Sequence, residues 1–177
     1  DRIESRGLGD VYKRQINNDV SFKESLIPLL DRGFVFVNLN IRGGGEMGKH
    51  WYDDGRMFNK MNTFYDFNDG VQAVLSKGIG DKNNVFARGG SAGGLLMGAI
   101  INLQPELYKG ILSGVPFVDV LTTMSDPTIP LTTFEYDEWG NPANEDEYRY
   151  IKQYSPYDNI YEAVSYTHLT LPTIRSV

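Results

Sequence analysis

The sequence predicts an α/β fold, a mostly parallel sheet with helices on both faces, and three observations carry that prediction. Short β-branched and aromatic runs alternate with segments of helical periodicity. The connections between successive runs are long enough for right-handed crossovers joining parallel strands. A chain of 177 residues with 41% hydrophobic and 23% charged content can also enclose the core of one domain.

Each element can be justified in turn. Leu26 to Leu30 reads as the end of a short helix. Residues 33–41, with Phe34, Val35, Phe36, Val37, Leu39 and Ile41, form a strand that enters a loop at Gly43-Gly44-Gly45. Residues 63–77 space Phe64, Phe67, Val71, Val74 and Leu75 along one helical face, with Gly78 and Gly80 as stop signals. Asn84-Val85-Phe86-Ala87 is the next strand, 92–103 a helix of small and aliphatic residues, and 110–115 a further strand. From Pro116 onward the pattern weakens into proline, acidic and aromatic residues, without repeats or low-complexity tracts.

Composition narrows the function. A net charge of -6 and a pI near 4.9 offer no basic face to nucleic acid and favour a cationic substrate. The absence of cysteine excludes disulfides and thiolate metal sites, and two histidines, His50 and His168, leave little for a metal; no structural metal is expected. No apolar run has the length of a membrane span, so no membrane partner is expected.

Both termini look foreign. Asp10-Val11-Tyr12-Lys13-Arg14-Gln15 resembles the read-through translation of a transposase adaptor used in sequencing libraries. Val164-Ser165-Tyr166-Thr167-His168-Leu169 resembles the reverse complement of the same adaptor. Residues 1–15 and 164–177 are therefore expected to be a non-native leader and tail around a partial domain at 16–163, and His168 to be no biological residue.

The chemistry centres on Arg88-Gly89-Gly90-Ser91-Ala92-Gly93-Gly94. A nucleophile on a sharp strand-to-helix turn sits in strained backbone, so the positions two before and two after it must be small, and Gly89 and Gly93 fill them. Such a turn lifts the Ser91 hydroxyl above the carboxyl edge of the sheet. The following helix points its positive end at a developing oxyanion, with the Ala92 N–H as one donor. The motif alone also fits a glycine-rich turn that lets strand and helix pack closely. A phosphate cradle at Ser91 or at Arg42-Gly43-Gly44-Gly45-Glu46 lacks the lysine-serine or Gly-x-Gly-x-x-Gly layout such cradles use. Downstream, Glu135 and Asp137 stand at i and i+2, which on an extended segment puts both carboxylates on one side, suited to a forked guanidinium. Because Glu138, Glu145, Asp146 and Glu147 crowd the same region, an acidic solvated loop is the competing reading.

Several blocks together resemble the prolyl oligopeptidase family. They are Asp31-Arg32-Gly33, Arg42 to Gly48, Trp51 and Gly55, Asn62 to Phe67, Val115 to Val120, Pro130 to Thr133, Glu138 to Pro142 and Ser155 to Asn159. Gly89-Gly90-Ser91-Ala92-Gly93-Gly94-Leu95-Leu96-Met97-Gly98 is most similar to the oligopeptidase B branch. The resemblance implies an α/β-hydrolase catalytic domain, here partial, that lies beneath a β-propeller in whole members. It implies Ser91 as nucleophile, the Ala92 amide as oxyanion donor, and Glu135 with Asp137 as holders of the Arg or Lys before the cleaved bond. Aspartate stands at 137 where the branch usually has glutamate. The implied activity is cofactor-free cleavage of short peptides, in the cytoplasm.

The second oxyanion donor, a tyrosine hydroxyl in the family, and the acid and histidine of the triad find no match within 16–163. His50 precedes Ser91 against the family's order of serine, acid, histidine, and reads as a loop or packing residue. Asp158 belongs to a block that lies before the family's acid. This chain alone is therefore expected to be inactive, and its cut sheet to aggregate. Two other readings stay open: an aminopeptidase or esterase of the same fold, and a non-catalytic α/β binding module.

Overall fold

The computed structural model describes residues 2–4 and 22–160. Four parallel strands form one sheet in the order β2-β1-β3-β4, with β1 at Arg2–Glu4, β2 at Phe36–Asn38, β3 at Phe86–Gly90 and β4 at Gly110–Gly114. The helices are α1 (Ile27–Leu30), α2 (Lys49–Asp53), α3 (Lys60–Ser76), α4 (Ala92–Leu103), α5 (Val120–Ser125), α6 (Tyr136–Trp139) and α7 (Glu145–Tyr154).

The alternation read from the sequence is present, with shifted boundaries. β2 keeps only three residues of the 33–41 run, since a turn occupies Asp31–Gly33 and the chain leaves the sheet after Asn38. β3 starts later than expected and runs to Gly90, so the sheet delivers the chain directly to Ser91. The strand at Arg2–Glu4 falls inside the leader expected to be foreign and pairs with both β2 and β3, which are not neighbours. Three residues in a charged stretch carry no periodic signal that could announce a strand. Past Pro116, where the pattern fades, the described residues form three helices and two 3-10 turns. The rest of the expected leader and the tail at 164–177, with His168, lie outside the described residues.

The core forms where α3 and α4 meet the sheet. Phe64, Phe67 and Val71, at i, i+3 and i+7, are fully buried, while Val74 and Leu75 on the same stripe are half-buried. α4 is buried almost all round through Leu95, Leu96, Met97 and Ile100, as its apolar composition requires. α7 starts with Glu145, Asp146 and Glu147 at its positive end and buries Ile151 and Tyr154. Among the described residues no helix is long and apolar enough to cross a membrane.

Candidate active site

Ser91 stands between the last residue of β3 and the first of α4, with φ 54° and ψ -119°. A non-glycine residue with positive φ outside the left-handed helical well costs roughly 1–3 kcal/mol and persists only where its surroundings fix it. Four backbone hydrogen bonds do so. The Ser91 N–H donates to the Gly114 carbonyl at 3.0 Å, and the Ser91 carbonyl accepts from Gly94 at 2.8 Å, Phe117 at 3.1 Å and Leu95 at 3.2 Å.

Close packing completes the turn. A Cβ on Gly89 would lie 2.1 Å from the Gly93 carbonyl oxygen, and one on Gly94 would lie 2.5 Å from Pro116 Cα. Both are impossible contacts, so strand, helix and the 114–117 segment can approach this closely only because side chains are missing there. The Ser91 side chain is exposed and caps no helix amide. Ala92, the first residue of α4, has an N–H without an intrahelical acceptor, beside that hydroxyl at the positive end of a twelve-residue helix.

The acid-bearing segment differs from the extended geometry expected for it. Thr132–Glu135 is a 3-10 turn that passes directly into α6, so Glu135 and Asp137 lie on helical backbone. Two residues along a helix turn about 200°, which sends the two side chains to different sides. Glu135 is half-buried, and its Oε2 accepts from Trp139 Nε1 at 2.5 Å. Asp137 is exposed, and its main-chain carbonyl accepts from Arg56 Nη1 at 3.0 Å. A packed path joins Glu135 to the serine: Trp139 holds the carboxylate, its ring meets the Phe117 ring at 5.5 Å, and the Phe117 N–H binds the Ser91 carbonyl.

Beneath this segment lies a buried lysine that the sequence did not announce. Lys60 is fully buried, its Nζ donating to Glu138 Oε1 and to the Gly55 carbonyl, both at 2.9 Å, and resting 4.6 Å from the Trp139 ring centroid. Glu138 Oε2 also accepts from the Tyr52 hydroxyl at 2.6 Å. Gly55 is five residues away, but Glu138 and Trp139 are remote in sequence, and the one local hint is that these two share a block with family character.

The remaining residues with possible roles are otherwise engaged. The Arg42 guanidinium binds Asp66 through Nε at 2.8 Å and Nη2 at 2.6 Å, and the Arg42 N–H binds Asp66 Oδ2 at 2.9 Å. Burial pushes the Asp66 carboxyl up, but the Arg42 hydrogen bonds and charge outweigh it and hold the carboxyl below the usual carboxylate range. Gly43 and Gly44 spend their N–H groups on Trp51 and Ile41 carbonyls, which leaves no phosphate cradle at those two amides. His50, expected in a loop or in packing, is an exposed residue of α2. Asp158 accepts from the Ser155 hydroxyl at 2.6 Å, a local contact at a 3-10 turn.

Strand, strained serine and helix amide define a hydrolase-type nucleophile turn on an α/β-hydrolase fold. The model of the prolyl oligopeptidase family matches residues 20–171, and the chain belongs to that family. It is 59% identical over 142 residues to dipeptidyl aminopeptidase BI of Pseudoxanthomonas mexicana, covering 80% of this chain and 20% of that protein. Against protease 2 of Moraxella lacunata it is 51% identical over 157 residues, covering 89% of this chain and 23% of the relative. Oligopeptidase B from Leishmania major superposes with a TM-score of 0.82 at 43% identity, over 89% of this chain and 21% of that structure. The closed form of oligopeptidase B from Trypanosoma brucei, with covalently bound antipain, gives a TM-score of 0.81 at 43% identity, over 89% of this chain and 22% of that structure. The chain thus spans about a fifth of the length of the relatives it matches.

Proposed function

We propose that this chain carries the nucleophile and part of the substrate site of a serine oligopeptidase that cleaves short peptides after Arg or Lys. The observation that carries the reading is Ser91 itself, exposed and strained between a parallel strand and the amino end of α4. Its Oγ attacks the peptide carbonyl while a histidine base takes the proton, and the Ala92 N–H accommodates the oxyanion. The amine leaves with a proton from the base, and water hydrolyses the acyl-enzyme. No cofactor enters this chemistry.

Family order puts the acid and the base after the Ser155–Asn159 block. Among the described residues the only histidine is His50, on α2, so Ser91 has no base partner there. We infer that the base comes from outside the described residues. The domain limits 16–163 and a cytoplasmic location belong to the same proposal.

Glu135 supports the preference for a cation. Trp139 takes Oε2 and leaves Oε1 for a guanidinium or ammonium. Asp137, on the other side of the helical segment, serves as an outer acid rather than as the second arm of a fork. In the complete peptidase a fluorophosphonate probe should label Ser91, and arginyl substrates should be cleaved in preference to neutral ones. Absence of labelling would favour the non-catalytic binding module.

The similarity to a dipeptidyl aminopeptidase favours a second reading, removal of dipeptides from a free amino terminus. Acetylating the substrate's amino group separates the two. An oligopeptidase tolerates the cap; a dipeptidyl aminopeptidase loses its substrate.

A further inference from the structure

We propose that Trp139 and Lys60 are positioning residues for substrate recognition, fixing the Glu135 carboxylate from beneath; the inference rests on the reading of Glu135 as the cation-binding acid. Glu135 sits where a 3-10 turn becomes a four-residue helix, a segment too short to hold a side chain by its own backbone. The indole N–H of Trp139 supplies the missing constraint at 2.5 Å.

The indole is fixed in turn on two sides. Phe117 meets it at 5.5 Å, and the Lys60 ammonium lies 4.6 Å from its centroid. A cation over the ring face draws electron density from the indole and makes its N–H a better donor to a carboxylate. The ammonium has no water to share that task, because Lys60 is fully buried.

Lys60 also sorts the acids. Glu135, Asp137 and Glu138 crowd four positions, and a substrate cation could pair with any of them. Lys60 and the Tyr52 hydroxyl claim both oxygens of Glu138. Glu138 is thereby removed from competition, and the substrate meets Glu135, whose orientation is set.

The test uses the complete peptidase carrying this segment, with paired ester substrates bearing arginine or a neutral side chain before the cleaved bond. Trp139→Phe keeps a six-membered ring for Phe117 and Lys60, deletes the N–H donor, and also removes part of a buried ring, a loss that fluorophosphonate labelling and the neutral ester monitor. It should raise KM for the arginyl ester roughly ten-fold, the effect of losing one hydrogen bond to a charged group, with kcat and the neutral ester changed by less than about two-fold. The charge-balanced double variant Lys60→Met/Glu138→Gln leaves no unpaired ion and should shift the same KM in the same direction. Glu135→Gln is the control, and fluorophosphonate labelling reports folding of the nucleophile turn. If Glu135→Gln selectively harms the arginyl ester while Trp139→Phe does not, or harms both esters alike, the positioning role is wrong. If Glu135→Gln itself leaves the preference intact, the substrate reading fails first and this inference falls with it.

Discussion

The turn around Ser91 and the segment carrying Glu135 are both tied to the core, but by opposite means. The turn is held by backbone: four main-chain hydrogen bonds on Ser91 and glycines at contacts where any Cβ would collide. The acid segment is held by side chains from elsewhere in the chain, with Tyr52 and Lys60 on Glu138 and Arg56 on the Asp137 carbonyl. Local sequence sets the Gly89–Gly93 approach and the first bonds of α4, and the segment after β4 adds the main-chain contacts from Gly114, Pro116 and Phe117. The second exists only when α2, α3 and α6 have met. A nucleophile needs one geometry for every substrate, whereas a specificity site can be altered by changing distant partners.

The sharpest way to set the two apart is kinetic. Ser91→Ala in the complete peptidase should lower kcat by roughly 10⁴-fold or more with little change in KM, as for other activated serines. Glu135→Gln should act mainly on KM for cationic substrates. Equal losses of kcat from both variants would remove the distinction.

On stability the order reverses, and the buried lysine dominates. Lys60→Met takes the ammonium from the Glu138 carboxylate, which keeps the Tyr52 hydroxyl, and leaves the Gly55 carbonyl to the Thr63 hydroxyl. It should cost about 3 kcal/mol in denaturant unfolding, the low end for a broken buried pair. Adding Glu138→Gln removes the uncompensated charge and should restore at least half of that loss. If the single and double variants are equally unstable, packing rather than ion pairing holds the segment.

The same contrast explains what could be read in the sequence. The α/β alternation, the face of α3 with Phe64, Phe67 and Val71, and the bounds of α4 are local periodic signals, and all three are present. The Ser91 turn is legible because Gly89 and Gly93 meet within four residues, whereas the approach of Gly94 to Pro116 is a tertiary contact. The resemblance singles out Glu135 and Asp137, but their i, i+2 spacing suits a fork only on an extended backbone, and the 3-10 turn and helix there send them apart. Lys60 left no trace: a lysine beginning an amphipathic helix reads as solvated, and only the tertiary meeting with Glu138 and Trp139 buries it. The strand at Arg2–Glu4 was equally silent, since three residues cannot show a period.

A smaller effect tests whether the turn stores strain. Ser91→Gly and Ser91→Ala both delete the hydroxyl, but only alanine keeps a Cβ at φ 54°. Glycine should be more stable than alanine there by about 1 kcal/mol, the reverse of their usual order. The usual order would mean that the turn is relaxed and that Ser91 is exposed without being strained.

The smallest effect belongs to the glycine loop, which like the acid segment is held from a distance. Arg42 and Asp66 join the loop to α3 through a two-pronged ion pair whose side chains remain partly exposed. Solvent screening limits the contribution, so Asp66→Asn should cost only about 1 kcal/mol at neutral pH. Its pH dependence is distinctive. The Asp66 pKa is depressed in the folded state, so between the folded value and the unfolded one near 3.9 the unfolded chain binds more protons. Stability from this pair is therefore complete above the unfolded pKa and is lost as pH falls through the folded one. Denaturant unfolding from pH 6 to pH 2 should show the wild-type and Asp66→Asn curves converging at the acid end. Curves that stay parallel throughout would mean that the loop is held by the Thr63 hydroxyl on the Arg42 carbonyl and by the main-chain bond from Gly43 to Trp51, with the ion pair contributing nothing.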